Sequence, residues 1–255
     1  AGSLEAVARV QADAYLYDRA SITPEATEAY FGTNSKFSTL HRLTLGRRNF
    51  DWSIGDQKWG LGTWGNRYTW NPLRPQASGL IGLTYEYQSR DFLLRVMGSG
   101  VNIPERGSPL KVEGGKLSYS NPDAAVPFDS VSVMNANVPI YYSLHMPELS
   151  KLLLHPTLIA QARVGEANDG PWLSIAGGIK PMNAADVTAQ AILKVLPDSM
   201  IQADLYPRVL SHQLLTFEGG VNEDGWKLWG SVTHESPLHA GAPEGQSASL
   251  MGPTT

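Results

Sequence analysis

Hydrophobic and polar side chains alternate with a period of two along most of this chain. In residues 158–164 the aliphatic and small side chains fall on one side, whereas Gln161 and Arg163 fall on the other. This alternation is typical of β-strands with two unlike faces. The alternating runs are residues 8–16, 42–48, 81–88, 92–99, 158–164, 173–180, 187–195, 201–205, 215–221 and 226–233.

Clusters of Asn, Asp, Gly, Pro and Ser separate these runs and predict turns. Runs joined by short turns indicate hairpins, and hence an up-and-down antiparallel sheet of about twelve strands. We expect one domain that spans residues 1–255. Residues 24–31 and 147–154 have a weak helical pattern, and each is predicted to form a short helix in a connection. The clearest turn signals are residues 168–171, 181–183, 197–199 and 222–225.

The composition of the two faces distinguishes between two all-β folds. A soluble sandwich buries bulky aliphatic side chains in its core, whereas the apolar face here also carries many alanines and glycines. Long charged side chains lie at the centres of the runs on the opposite face, where a membrane barrel encloses water. Most runs have about 8–12 residues, enough for a tilted strand to cross a bilayer. The pattern therefore favours an antiparallel, up-and-down transmembrane β-barrel.

Aromatic residues near the ends of the runs support the same interpretation. Amphipathic rings concentrate at both membrane–water interfaces of such barrels. In a soluble β protein the same side chains would simply pack against the sheet. The residues concerned are Tyr15, Tyr17, Tyr85, Tyr87, Trp172, Tyr206, Phe217 and Trp226.

The overall composition excludes several classes of function. The chain has 255 residues, a formal net charge of −4 and no cysteine. It lacks the basic bias of nucleic-acid-binding proteins, so nucleic acid is not an expected partner. Without cysteine it has no thiol nucleophile, disulfide or Cys-based zinc site. The six histidines lack the spacing of a helical zinc motif, and we predict neither a metal site nor a cofactor.

Several short motifs resemble those of bacterial outer-membrane β-barrel proteins. Residues 43–48 (LTLGRR), followed by 50–52 (FDW) and 58–62 (KWGLG), are similar to the strand, Gly-Arg, loop and Trp-Gly pattern of porin-like families. Residues 70–75 (WNPLRP) and 102–105 (NIPE) are similar to barrels linked to surface or polysaccharide export. The resemblance implies an outer-membrane location, a lipid bilayer as partner, and passage or export of a hydrophilic solute or polysaccharide. It also implies envelope-complex subunits as further partners.

One feature departs from that resemblance. Barrels of this class commonly end in a strand with a terminal aromatic residue, whereas this chain ends in residues 250–255 (LMGPTT). No alternating pattern follows Thr233. We therefore expect the number of strands counted here to be a lower limit for the barrel.

The charged side chains on the polar face are predicted to line the barrel lumen. Basic residues outnumber acidic ones there, and an electropositive lumen favours anions over cations. In the alternative interpretation, these charges pair across strands and fill a narrow barrel as a structural lattice. The predicted lumen residues are Arg9, Asp13, Arg42, Arg48, Glu86, Arg95, Arg163, Lys180, Lys194, Asp204, Glu218 and Lys227.

Residues 51–75 are rich in aromatic side chains and too irregular for a simple strand pair. Flat rings beside polar groups suit the CH faces of sugars, which would make this segment a carbohydrate path or binding loop. The alternative is an interfacial girdle with a loop folded on the rim. The residues concerned are Trp52, Trp59, Trp64, Tyr68 and Trp70.

Two motif matches and one carboxylate pair resemble features of enzymes. Residues 60–65 match G-x-G-x-x-G and residues 108–111 match S-x-x-K, but neither has the flanking pattern that its chemistry needs. Glu86 and Glu218 are the best candidates for glycoside hydrolysis. We nevertheless predict that the chain is not an enzyme. The alternatives are a structural barrel subunit of an envelope complex, and a soluble all-β carbohydrate-binding module or glycosidase.

Overall fold

The computed structural model describes residues 3–15, 21–69, 76–104, 106–107, 110–119, 128–166, 169–195, 199–223 and 225–237. The protein is all-β and is built around a large antiparallel sheet, as the alternating pattern predicts. Within these residues, no helix has the length and apolar character needed to cross a membrane.

The elements in chain order are β1 (Leu4–Tyr15), β2 (Ser21–Thr33), β3 (His41–Arg48), α1 (Ile54–Trp59), β4 (Asn66–Thr69), β5 (Gln76–Ser78), β6 (Leu80–Gln88), β7 (Phe92–Ser99), β8 (Arg106–Gly107), β9 (Leu110–Glu113), β10 (Lys116–Tyr119), β11 (Ser130–Val133), β12 (Ala136–Leu144), α2 (Leu149–Leu153), β13 (Thr157–Glu166), β14 (Asp169–Pro181), β15 (Asp186–Lys194), β16 (Met200–Arg208), β17 (Ser211–Glu223) and β18 (Trp226–Pro237).

The main sheet has nine strands in the order β1-β2-β3-β6-β7-β13-β14-β17-β18. Every neighbouring pair is antiparallel, and each strand lies beside the next main-sheet strand along the chain. This confirms an up-and-down antiparallel arrangement. Among the described residues, β1 and β18 form the edges and do not pair with each other, so the closed barrel stays a prediction.

The described residues form more strands than the predicted twelve, because three insertions between main-sheet strands carry strands of their own. They follow β3, β7 and β14, and they carry the remaining strands and both helices. β12 from the second insertion pairs in parallel with β16 from the third, which gives a four-stranded sheet β11-β12-β16-β15. The alternating runs 187–195 and 201–205, predicted as barrel strands, therefore belong to this second sheet instead.

The two helix predictions had opposite outcomes. The prediction for residues 147–154 is confirmed by α2, which covers five of these residues. The prediction for residues 24–31 is wrong, because this segment lies within β2 and pairs with both β1 and β3. Pairing with two neighbouring strands outweighs a weak local helical preference. β18 also continues to Pro237, beyond the last residue of the sequence pattern, Thr233.

The main sheet exposes its aliphatic face. We call this the open face, and the opposite side the covered face. Leu158 is 62% exposed and Leu173 is 64% exposed, although burial of a Leu side chain typically contributes about 1.5–3 kcal/mol. The exposed open-face side chains include Phe31, Leu43, Leu45, Leu83, Leu158, Val164, Leu173, Ile175, Ile179, Leu215, Phe217, Val221, Leu228 and Val232.

The covered face is polar and is packed beneath the first insertion. Its buried side chains include Thr44, Thr84, Glu86, Gln161, Ser174, Lys180, His212, Thr216 and Glu218. We call residues 49–69 the inner segment. It contains α1, and its Phe50, Trp52 and Trp64 form one buried cluster with sheet residues such as Met97 and Ile159. The inner segment therefore supplies the aromatic part of this apolar cluster, and the sheet around the cluster is largely polar.

The four-stranded sheet is packed in the conventional way. Ala189 and Leu205 are buried on it, together with Leu117 from β10. Ala189 and Leu205 of this sheet thus face protein, whereas the aliphatic side chains on the open face of the main sheet do not. The same alternation along the sequence accompanies two opposite burial patterns.

Candidate solute-binding site on the covered face

The structure divides the predicted lumen residues between two sheets. Nine lie on strands of the main sheet, on the same side as the buried polar rows. Asp13 lies on β1 opposite Thr23, and its side chain is outside the described part of the structure. Lys194 and Asp204 lie on the four-stranded sheet instead. The nine are Arg9, Arg42, Arg48, Glu86, Arg95, Arg163, Lys180, Glu218 and Lys227.

Some of these charges pair across strands. Glu86 Oε2 accepts hydrogen bonds from Arg95 Nε at 2.8 Å and from Arg95 Nη2 at 2.5 Å. Arg95 Nη1 donates to Gln161 Oε1 at 2.8 Å. The guanidinium carbon lies 4.6 Å from the centre of the Phe50 ring. In this part of the covered face the charges pair across strands, as in the alternative interpretation in which the charged side chains form a structural lattice.

Lys180 anchors the inner segment rather than facing free solvent. Its side chain is 1% exposed. Its Nζ lies 3.3 Å from the backbone oxygen of Thr63 and 3.5 Å from Nε2 of His212, and it also donates to Asn183. His212 Nδ1 lies 2.5 Å from Glu235 Oε1. The Lys180 ammonium therefore links β14 to the inner segment.

Glu218 receives the start of helix α1. Its carboxylate accepts hydrogen bonds from Ser53 Oγ at 2.6 Å, from the backbone N–H groups of Ile54 and Gly55 at 2.8 Å each, and from Ser231 Oγ at 2.9 Å. Free N–H groups at a helix start attract a carboxylate. Glu218 and Glu86, the two carboxylates considered for hydrolysis, are thus both engaged by several donors.

The aromatic residues of the inner segment are mostly core residues. Trp52 and Trp64 are buried, and Trp64 Nε1 donates to Thr216 Oγ1 at 2.9 Å. Neither ring offers a face to a sugar or to a membrane interface. Trp59 is 74% exposed. The side chain of Tyr68 and the whole of Trp70 lie outside the described residues.

A cavity of about 250 Å³ lies between the inner segment and β13, β14, β17 and β18. Its wall brings together cationic, hydroxyl and aromatic groups from distant parts of the chain. Arg163 and Lys227 were predicted from the sequence as lumen residues. Lys58, Ser174 and Trp229 were not, because no local pattern places the inner segment against these strands. The groups used below are Lys58, Arg163, Trp172, Ser174, Lys227 and Trp229.

Two residues that line this cavity each have a polar atom without a hydrogen-bond partner among the described residues. Arg163 and Ser174 are directly opposite each other in the register of β13 and β14. Arg163 Nε and Ser174 Oγ are both inaccessible to solvent and lack a hydrogen-bond partner within the described residues. A buried polar group without a partner typically costs about 1–3 kcal/mol, and such groups are uncommon. They mark this cavity as the strongest candidate site.

The two motif matches have different outcomes. Residues 60–65 follow helix α1 and precede strand β4, whereas the dinucleotide motif has the opposite order, strand before and helix after. In the S-x-x-K match, residues 108–109 lie outside the described residues. The described part of the chain contains no group of three His, Asp or Glu side chains that could hold a metal ion.

The chain matches no protein-family model, no curated protein and no solved structure. The resemblance to porin-like and export barrels therefore stays a prediction from the sequence.

Proposed function

We propose that this chain is a bacterial outer-membrane β-barrel protein whose polar interior passes or exports hydrophilic solutes. The single observation that supports this proposal is the inverted burial of the main sheet. Charged and hydroxyl side chains are buried on the covered face, and Leu, Val, Ile and Phe side chains are exposed on the open face. Transmembrane barrels have this arrangement, with lipid outside and polar groups inside.

The size of the open face supports lipid as its solvent. Soluble monomers rarely expose a contiguous apolar patch of more than a few hundred Å², and here exposed aliphatic side chains recur on strands from β2 to β18. In water each such side chain would forgo about 1.5–3 kcal/mol of burial energy. Against hydrocarbon this penalty disappears. The proposal requires a closed barrel, because unpaired strand edges are not tolerated in lipid.

The position of the inner segment favours a narrow, selective barrel interior and not a wide pore. It is packed against the covered face through Phe50, Trp52 and Trp64. The cavity beside it carries three cationic side chains, Lys58, Arg163 and Lys227. Positive charge in a confined aqueous space raises the local concentration of anions. We therefore propose anionic or carbohydrate solutes as cargo, and no catalytic reaction.

Nitroxide scanning tests which solvent touches the open face. The natural chain has no cysteine, so each introduced Cys is the only labelling site. We expect labels at Leu158→Cys, Leu173→Cys and Leu215→Cys to collide more with oxygen than with a water-soluble nickel chelate in proteoliposomes. A label at Met134→Cys, which is 98% exposed in the turn between β11 and β12, should show the opposite preference. Nickel accessibility equal to that of position 134 at all three sites would contradict the proposal.

Planar-bilayer recordings then separate the transport proposal from a purely structural barrel. We expect channels with anion selectivity and a heat-modifiable gel shift for the purified protein. Lipid-exposed labels without any conductance would favour a structural subunit. Monodispersity without detergent, together with water-exposed labels, would favour the soluble carbohydrate-binding module or glycosidase.

A further inference from the structure

We propose that the cavity lined by Arg163, Ser174 and Lys58 binds a small solute that carries an oxyanion, a carboxylate or a phosphate, on a body the size of a monosaccharide. The inference rests on the proposed function for its biological sense, because a site on the covered face would lie in the path of a passing solute.

The unpartnered atoms define the polar end of the ligand. Arg163 and Ser174 both line the cavity, and Arg163 Nε and Ser174 Oγ are donors without a hydrogen-bond partner within the described residues. An arginine fork binds carboxylate and phosphate oxygens with two parallel hydrogen bonds. A serine hydroxyl beside it can donate to a further oxygen of the same group. An oxyanion is therefore the group that suits the guanidinium of Arg163 and the hydroxyl of Ser174 together.

The charges around the cavity favour the same class of ligand. Lys58, Arg163 and Lys227 supply three positive charges. Two carboxylates, Asp51 and Glu218, also line the wall, but the oxygens of Glu218 already accept four hydrogen bonds from Ser53, Ile54, Gly55 and Ser231. No ion pair to Arg163 occurs within the described residues. Arg163 therefore adds a positive charge to the cavity wall that no described carboxylate pairs with.

The aromatic walls and the volume define the rest of the ligand. Trp172 and Trp229 line the cavity, and the Lys58 ammonium lies 5.0 Å from the centre of the Trp229 ring. Aromatic faces beside polar groups suit the CH faces of a sugar ring. A volume of about 250 Å³ is just below the ~300–1,000 Å³ of sites for drug-sized ligands. It therefore suits one sugar unit and excludes a long oligosaccharide held entirely inside.

Calorimetric titration of the purified full chain in detergent tests the site with three probes. Glucuronate carries a carboxylate, glucose 6-phosphate carries a phosphate, and glucose is the neutral control of the same ring size. We expect at least one of the two anionic probes to bind and glucose to bind at least tenfold more weakly. If one of the two anionic probes binds more tightly, the result shows whether the site prefers a carboxylate or a phosphate. Equal binding of glucose, or binding of none of the three, would overturn the inference.

Substitutions assign the binding to this cavity. Arg163→Gln should weaken the anionic probe by about 10- to 100-fold, the usual value of a hydrogen-bonded charge. Arg90→Gln removes an exposed arginine outside the cavity and should leave the affinity unchanged. Ser174→Ala is a smaller change and should weaken binding by several fold. This variant tests the same assignment if Arg163→Gln does not fold. Full affinity in both cavity variants would overturn the assignment.

The readouts separate this inference from the membrane proposal. Probe binding with water-exposed open-face labels would leave the site intact and overturn the outer-membrane function. Lipid-exposed labels without probe binding would support the outer-membrane proposal and overturn the inferred binding site.

Discussion

Ser53 Oγ donates a hydrogen bond to Glu218 Oε1 at 2.6 Å, although 165 positions separate the two residues in the sequence. Ser53 is also the N-cap of α1 and accepts a hydrogen bond from the backbone N–H of Asp56 at 3.0 Å. A carboxylate on β17 thus completes the cap of a helix from the first insertion. This contact fixes where the inner segment lies on the covered face.

Removing that carboxylate should loosen the inner segment. Glu218→Gln replaces an acceptor oxygen with an NH₂ group that faces donors already present, at a cost of about 1–3 kcal/mol. We expect a higher single-channel conductance and faster protease cleavage within residues 49–69. Glu223→Gln, an exposed change at the end of the same strand, should behave like the unchanged protein. Identical cleavage rates in the two variants would contradict this role of Glu218.

The buried ring of Trp64 should stabilise the fold far more than a neighbouring exposed ring. Trp64→Ala leaves a cavity and removes the hydrogen bond to Thr216 Oγ1, and such truncations typically cost about 3–5 kcal/mol. Trp59→Ala, at a position 74% exposed in the same segment, should cost little. The temperature of the heat-modifiable gel shift measures the difference, and equal shifts would show that Trp64 is not a core residue.

The ion pair of Glu86 and Arg95 should show strong coupling. Glu86→Gln leaves Arg95, which is largely buried, without its counter-charge, and breaking a buried pair typically costs about 3–5 kcal/mol. In the double variant with Arg95→Gln, the loss should be smaller than the sum of the single losses by about 0.5–3 kcal/mol. Denaturant unfolding measures the cycle. Additive losses would mean that the two charges act independently.

A charge on the open face should distinguish lipid from water as solvent. Leu158→Arg should destabilise the protein by about 2–4 kcal/mol if the position lies near the bilayer midplane. In water the same change at a side chain that is 62% exposed would have little effect. Met134→Arg, in the turn between β11 and β12, should be neutral in either case. Unfolding in lipid vesicles gives the comparison, and two equally mild variants would contradict a lipid-facing position.

Stability of the four-stranded sheet should fall in acid. Hydrogen bonds from Gln202 and His145 lower the pKa of Asp204 below its ordinary value of 3.8. A carboxyl whose pKa is lowered on folding stabilises the fold above its unfolded pKa, and this contribution is lost as the pH falls through the folded pKa. Asp204→Asn should therefore cost up to about 1 kcal/mol at pH 7 and nothing in strong acid.

Hydrogen exchange of the β12 and β16 amides measures this effect. Glu148→Gln, an exposed carboxylate at the start of α2 that makes no side-chain cap, is the control and should leave exchange unchanged at both pH values. A cost of Asp204→Asn that is the same at pH 7 and in acid would show that its charge is not the stabilising group.

The period-two pattern by itself determined the all-β class and the division of the main-sheet side chains into two faces, and the turn signals added the antiparallel arrangement. These follow from the sequence because alternation is a property of each strand alone. It also identified Arg163 and Glu218 as members of the polar face.

Only the tertiary structure decided which face is covered. The runs in β15 and β16 alternate like those in β13 and β17, yet Ala189 and Leu205 are buried while Leu158 and Phe217 are exposed. Burial depends on which insertion packs on a sheet, and that is a contact between residues far apart in the chain. For the same reason, no local sequence pattern predicts that Lys58 and Ser174 line one cavity.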